Sequence, residues 1–127
     1  MQGQSRLPVH GDILCDLSEI TDPGAKGFVF GSDILRLELF LVRRGDDVFA
    51  YVNACPHAGT PLDVIGDRFL NRAGTRIVCA THGAQFRISD GFCLSGPCKG
   101  KSLSAVEVEV VDGAVRLAGP VNTNANS

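Results

Sequence analysis

The stretch LRLELFLV, residues 35–42, puts Leu35, Leu37, Leu39 and Leu41 at every second position, with Arg36 and Glu38 between them. Successive side chains of a strand leave the backbone on opposite sides, so this alternation predicts an extended segment with one buried face. RGDD at 44–47 then supplies a turn, and VFAYVNA at 48–54 returns as a second strand. RIVCA (76–80) and QFRIS (85–89) read as short strands, SDG (89–91) as a turn, and FCL (92–94) as a further strand. AVEVEVV (105–111) alternates again, Asp112-Gly113 turns, and AVRLA (114–118) closes a hairpin. No segment sustains a 3.6-residue apolar period. Fifteen glycines and six prolines cut the chain into short runs. The expectation is an all-β protein, an antiparallel sandwich or barrel.

The 127 residues amount to one domain, enough to bury a core without staples, and 44% of them are hydrophobic. The polar tails, residues 1–6 and 121–127, have little to bury. A net charge of −2 is not that of a phosphate-tracking surface, so nucleic acid is excluded as the expected partner. No apolar run approaches the roughly 20 residues of a membrane helix. MQGQSRLPVHGD has no apolar region of the kind a signal peptide needs. Five cysteines, an odd number, fit ligands or buried thiols in a reducing compartment better than a disulfide scaffold. A cytoplasmic protein without membrane contact is the expectation.

Chemistry concentrates in two pairs. NACPHAGTPL (53–62) holds Cys55 and His57 one residue apart, and VCATHGAQF (78–86) holds Cys79 and His82 three apart. The constellation is C-x-H, 21 residues, then C-x-x-H, each pair on a glycine-containing loop beside a strand. Two such loops can close over one centre, each giving one sulfur and one nitrogen. Two groups take that donor set: a tetrahedral Zn²⁺, or a [2Fe–2S] cluster with cysteines on one iron and histidines on the other. Ligand pairs in zinc sites are usually separated by two to four residues. The single residue between Cys55 and His57 suits side chains that diverge toward two irons.

The flanking residues resemble the Rieske family. Its first loop, C-x-H-x-G-x-x-L, is matched by Cys55, His57, Gly59 and Leu62, and its second, C-x-x-H-G-x-x-F, by Cys79, His82, Gly83 and Phe86. A third element, G-x-C-x-x-G-P, is matched by Gly91, Cys93, Gly96 and Pro97; in the family it folds over the cluster. The likeness runs from about Val48 to Leu103, with a longer gap between the ligand loops than in the ferredoxins, filled by VIGDRFLNRAGTR. It implies a Rieske-type antiparallel β-sandwich with a small cluster-binding subdomain at about 53–98, in a single domain spanning 1–127. It implies one [2Fe–2S] cluster per chain, held by Cys55, His57, Cys79 and His82.

With two thiolates and two neutral imidazoles the oxidised centre is neutral, so it accepts an electron more readily than a four-thiolate centre. High-potential respiratory members carry serine and tyrosine hydroxyls where this chain has Ala84 and Phe86. They also tie their loops with a disulfide at the positions of Thr60 and Thr81. The resemblance therefore implies the low end of the family's range. It also implies electron exit at His57 and His82, beside the small or apolar Ala58, Thr60, Pro61, Ala84 and Pro97. Cys93 and Cys98 are read as free buried thiols, Cys15 as core, His10 as a surface histidine, and Asp46, Asp47, Asp63 and Asp67 as solvated loop charges. Lys99 and Lys101 form a weak basic patch.

No catalytic residues are expected. An oxygenase of this kind needs a second domain with a mononuclear iron on two histidines and a carboxylate, and only His10 remains. The expected role is an electron carrier from a reductase to a terminal oxygenase or another oxidoreductase. The alternatives are a small Rieske subunit of an enzyme such as nitrite reductase, and a zinc-stabilised β interaction module.

Overall fold

The structure is a computed structural model that describes residues 8–31, 36–56, 61–63, 68–80 and 83–119. Its strands are β1 (Ile13–Asp16), β2 (Gly24–Phe30), β3 (Leu37–Arg44), β4 (Asp47–Val52), β5 (Arg76–Val78), β6 (Gln85–Arg87), β7 (Cys93–Ser95), β8 (Ala105–Val106), β9 (Val108–Val111) and β10 (Ala114–Leu117). One turn of 3-10 helix, Leu17–Glu19, follows β1. Among the described residues no helix is long and apolar enough to cross a membrane.

The strands form three antiparallel sheets, ordered β1-β10-β9, β2-β3-β4-β8 and β5-β6-β7. The middle sheet carries the design. On β3, Leu37, Leu39 and Leu41 join an apolar cluster with Leu14 and Cys15 of β1 and Val115 and Leu117 of β10. Phe40 and Val42, pointing the other way, join a second cluster with Leu62, Phe69, Ile77 of β5, Phe86 of β6 and Cys93 of β7. Strand β4 repeats the division, with Ala50 and Val52 in the first cluster and Tyr51 in the second. One sheet therefore separates two cores, and period two sorts its side chains between them.

This corrects the reading of LRLELFLV as half-buried. The described part of the leucine face is buried as expected, but Phe40 and Val42 on the opposite face are equally inaccessible. Leu35 lies outside the described residues. Strand β2 is not evident in the sequence pattern. It pairs along its whole length with β3, with Phe28 opposite Leu39 and the side-chain-free Gly27 opposite Phe40. Phe40 stacks on Phe69 at 4.4 Å between ring centroids and touches Tyr51 at 5.7 Å, and the Tyr51 hydroxyl donates to the Ile88 carbonyl. These contacts fasten the β5-β6-β7 sheet onto the middle sheet.

Both hairpin turns form where the sequence puts them. Arg44 pairs with Asp47 across Gly45-Asp46, with Gly45 at φ 63°. Val111 pairs with Ala114 across Asp112-Gly113, both at positive φ (51° and 78°). That backbone twist matches the twist of the paired strands, and Asp-Gly tolerates it better than most residue pairs.

Candidate metal centre

The first ligand loop leaves the end of β4. The Asn53 N–H donates to the Glu38 carbonyl at 2.8 Å, which holds the loop's root against the start of β3. The Asn53 side chain is buried and closes the loop on itself: Oδ1 accepts the Leu62 N–H at 2.8 Å, and Nδ2 donates to the Asp63 carboxylate at 2.9 Å. Cys55 lies inside this closure, 1% exposed.

The second loop leaves the end of β5. The Cys79 N–H donates to the Ala84 carbonyl at 2.9 Å, and the Gly83 N–H donates back to the Cys79 carbonyl at 2.8 Å. The resulting turn needs Gly83 at φ 72°, a conformation glycine takes without Cβ strain. Cys79 is fully buried. The Ala80 N–H donates to the Leu62 carbonyl at 2.8 Å. Leu62 is thus bonded on one side to Asn53 and on the other to the second loop, which ties the two loops together.

The third segment runs from β7 through Lys101. The Cys93 N–H donates to the Lys101 carbonyl at 2.8 Å and the Lys101 N–H to the Cys98 carbonyl at 2.9 Å. Gly96, at φ 102°, presses against the second loop: a Cβ there would stand 2.6 Å from Ala84 Cα. The segment therefore lies directly on the second ligand loop, and only a glycine permits that approach.

Cys55, Cys79, Cys93 and Cys98 share one apolar cluster, and none of them forms a disulfide. Cys93 and Cys98 form no disulfide; their sulfurs share a hydrogen bond at 3.1 Å. Burial, then the neighbouring Cys93, then Cys55, push the Cys98 thiol up to about 12. The donor chemistry fits a thiophilic metal group: two buried sulfurs, on loops joined by hydrogen bonds and covered by a third segment. Of the expected ligands the structure places Cys55 and Cys79 in this common core, while His57 and His82 lie outside the described residues, as do Ala58, Thr60 and Thr81.

Among the other predicted positions, Cys15 is buried core, and His10, Asp46, Asp47, Lys99 and Lys101 are exposed. Asp63 is partly buried and bonded to Asn53 rather than solvated; Asp67 lies outside the described residues. Asn53 was not singled out by sequence reasoning. Its only signal is a polar residue directly after an apolar strand, which also fits an ordinary strand end.

Comparison with known proteins follows the same lines. The family model for the Rieske [2Fe-2S] domain matches residues 13–115. The ferredoxin of carbazole 1,9a-dioxygenase from Nocardioides aromaticivorans IC177 superimposes with a TM-score of 0.64 at 26% identity, covering 87% of this chain and 96% of that one. The Sphingomonas yanoikuyae B1 ferredoxin gives 0.67 at 24% identity, covering 87% and 99%, and shares the fold. The terminal oxygenase of the Nocardioides enzyme gives 0.71 at 18% identity, with 93% of this chain on 33% of that one, again a likeness of fold. No curated protein matches the sequence. A model match over most of the chain, on a fold that buries Cys55 and Cys79 beneath a third loop, leads to one conclusion: the chain belongs to the Rieske [2Fe-2S] domain family.

Proposed function

We propose that this chain is a Rieske-type ferredoxin that carries single electrons from a reductase to a terminal oxygenase or a related oxidoreductase. It holds one [2Fe–2S] cluster through the thiolates of Cys55 and Cys79 and the imidazoles of His57 and His82. In this reading residues 53–98 bind the cofactor and the rest of one domain supports them. The observation that carries it is the burial of two cysteines outside any disulfide, Cys55 and Cys79, on loops bonded to each other through Leu62. Likeness supports a carrier: the chain is 26% identical to the carbazole 1,9a-dioxygenase ferredoxin over 96% of that chain, against 18% for the terminal oxygenase.

When bound, the cluster supplies a site that takes up one electron and gives it back. The protein's own residues do the rest. Leu62, Phe69, Ile77 and Phe86, all fully buried, keep water from the sulfur side. The Asn53 and Ala80 hydrogen bonds hold the two loops at a fixed separation, so little reorganisation accompanies a change of charge. Ala84 and Phe86 offer no hydroxyl donor to the sulfurs. Fewer hydrogen bonds leave the reduced, more negative form less stabilised, which places the midpoint near the lower end of the family's range of roughly −150 to +300 mV.

Iron, zinc and sulfide analysis on anaerobically purified protein, with EPR before and after dithionite, tests this reading. The expected result is two irons and two sulfides per chain, a rhombic signal only after reduction, and a midpoint below 0 mV. One zinc without sulfide or signal would replace the electron carrier with a zinc-stabilised module.

A further inference from the structure

Charge is unevenly shared along the chain. Residues 53–101 hold six lysines and arginines against three acids, whereas the remainder holds six against eleven. The cluster-binding part is therefore cationic in a protein whose net charge is −2. Two of its three acids are engaged: Asp63 accepts from the Asn53 side chain, and Asp90 accepts from Arg87 at 2.7 Å. Arg68, Arg72 and Arg76, all in the segment between the ligand loops, are exposed, and none of them pairs with a carboxylate among the described residues. The Arg76 guanidinium donates to the neutral Gln85 Oε1 at 3.1 Å, and Arg76 stands across from Arg87 in the β5-β6 ladder.

Arg68 and Arg72 line one cavity of about 540 Å³ that has no carboxylate in its wall. The backbone that presents them is fixed. Phe69 is fully buried and stacks on Phe40, its carbonyl accepts the Val78 N–H at 2.8 Å, and Leu70 bridges Ile77. Arg68 therefore lies beside the stretch of β5 that leads into Cys79. Arg72 sits in a tight turn: the Gly74 N–H donates to the Asn71 carbonyl at 2.9 Å, and Asn71 Oδ1 accepts the Thr75 and Arg76 N–H groups at 2.8 and 3.1 Å. A Cβ on Gly74 would stand 2.9 Å from Pro23 Cγ, so the turn is pressed against the start of β2. A backbone already held in place lowers the entropy cost of docking. Asp22 and Asp47 line a neighbouring depression with Arg44 and bound the cationic surface there. Exposed charges more than about 10 Å away are largely screened at 0.1 M salt, so an approaching molecule meets these arginines rather than the net charge. Guanidinium forks match carboxylates in geometry. The charges extend from Arg68 to Arg76 and do not converge on one buried point, which suits an extended acidic face better than a single small anion. We propose that Arg68 and Arg72, together with Arg76, form a docking surface for a carboxylate-rich face of the protein with which this chain exchanges electrons. This rests on the electron-carrier reading. Its place beside the second ligand loop brings that partner to the cluster-binding part of the fold.

The test applies two probes to the full chain. One is a fluorescein-labelled oligoglutamate peptide, whose binding is followed by fluorescence anisotropy. The other is ferricyanide, a trianion that takes one electron from the dithionite-reduced protein and becomes ferrocyanide, followed by stopped flow. The ferricyanide rate is expected to fall as salt rises, the sign of local attraction, whereas a net charge of −2 acting alone would make it rise. Arg68→Gln combined with Arg72→Gln is expected to weaken peptide binding and slow the ferricyanide reaction at low salt, each about tenfold. Both side chains are exposed, so the double variant should fold, which iron and sulfide content checks. Arg68→Lys combined with Arg72→Lys restores the rate and its salt dependence. Arg36→Gln combined with Arg116→Gln, which removes two charges outside the cluster-binding segment, leaves both measurements unchanged. A native ferricyanide rate that rises with salt overturns the proposal. Equal losses in the two glutamine pairs overturn it too, because net charge then explains them. Saturable competition with the peptide by inorganic phosphate at constant ionic strength would mark a small-anion pocket and overturn it as well. Protein without iron and sulfide fails the carrier reading, whereas a redox-active protein whose rate and peptide affinity ignore Arg68 and Arg72 fails the docking surface alone.

Discussion

Asn53 and Gly96 bear on the metal centre without supplying a donor atom. The Asn53 carbonyl oxygen is the partner of the Leu62 N–H, and Leu62 is fully buried. Removing the acceptor strands a buried donor, which costs about 1–3 kcal/mol. Asn53→Ala is therefore expected to lower unfolding stability by that amount and to release iron faster to a chelator, read by urea denaturation and loss of visible absorbance. Asn53→Asp keeps the acceptor but sets a second carboxylate against Asp63, so it should retain iron less well than native protein and lose that defect when Asp63 is changed to Asn. Gly96 fails differently. An alanine there meets both a positive φ of 102° and Ala84 Cα at 2.6 Å, backbone that cannot swing aside as a side chain can. Gly96→Ala should lift the third segment off the second loop and speed oxygen-driven loss of the cluster. A cluster lifetime equal to that of native protein would show that this cover does not protect it.

At the scale of elements, β3 is the member that serves both cores, and its two faces can be tested separately. Phe40→Ala removes the ring between Tyr51 and Phe69, and Leu41→Ala opens a cavity among the side chains shared with β1 and β10. Truncations of this size in a core cost about 2–5 kcal/mol. Both variants should be destabilised to a similar degree, but only Phe40→Ala should alter the EPR line shape, because only that face shares an apolar core with Cys55 and Cys79. The same division explains what was legible in the sequence. Hairpins β3-β4 and β9-β10 were, because Gly45-Asp46 and Asp112-Gly113 mark their turns and apolar alternation flanks them. Strand β2 was not: Gly24, Lys26 and Gly27 interrupt its pattern, and its register is set by a partner on another segment. Cys55 and Cys79 stood out in the sequence because coordination chemistry demands particular residue types at short spacing, and the fold buries both in one core. Asn53 did not, because its role arises from closure onto Leu62, a relation between residues brought together by the fold.

Because one sheet separates two cores that share its strands, loss of either face exposes the back of the other, and the molecule should unfold as one cooperative unit. Alkaline pH offers a probe of each core. Burial, with Glu19 nearby, pushes Cys15 from the usual 9.0 up to about 11, and burial, with Asp90, pushes Tyr51 from 10.0 up to about 12. A group whose pKa is higher folded than unfolded holds its proton more tightly in the native state. Its contribution is complete below the unfolded value and is lost as pH rises through the folded one. For Cys15 that window runs from about pH 9 to about 11, and for Tyr51 from about 10 to about 12. Crossing either window removes roughly 2–3 kcal/mol of stability. Urea denaturation at a series of pH values should therefore show a single transition with stability falling from about pH 9 upward. Cys15→Ala should flatten the onset of that fall and Tyr51→Phe its later part, whatever each costs at neutral pH. The two residues sit in different cores, so a matching effect of both on one transition, followed by far-UV circular dichroism and by cluster absorbance, would demonstrate the coupling that the shared sheet imposes. Separate transitions, with Cys15→Ala moving only one of them, would mean that the cluster-side core unfolds independently of the sandwich beneath it.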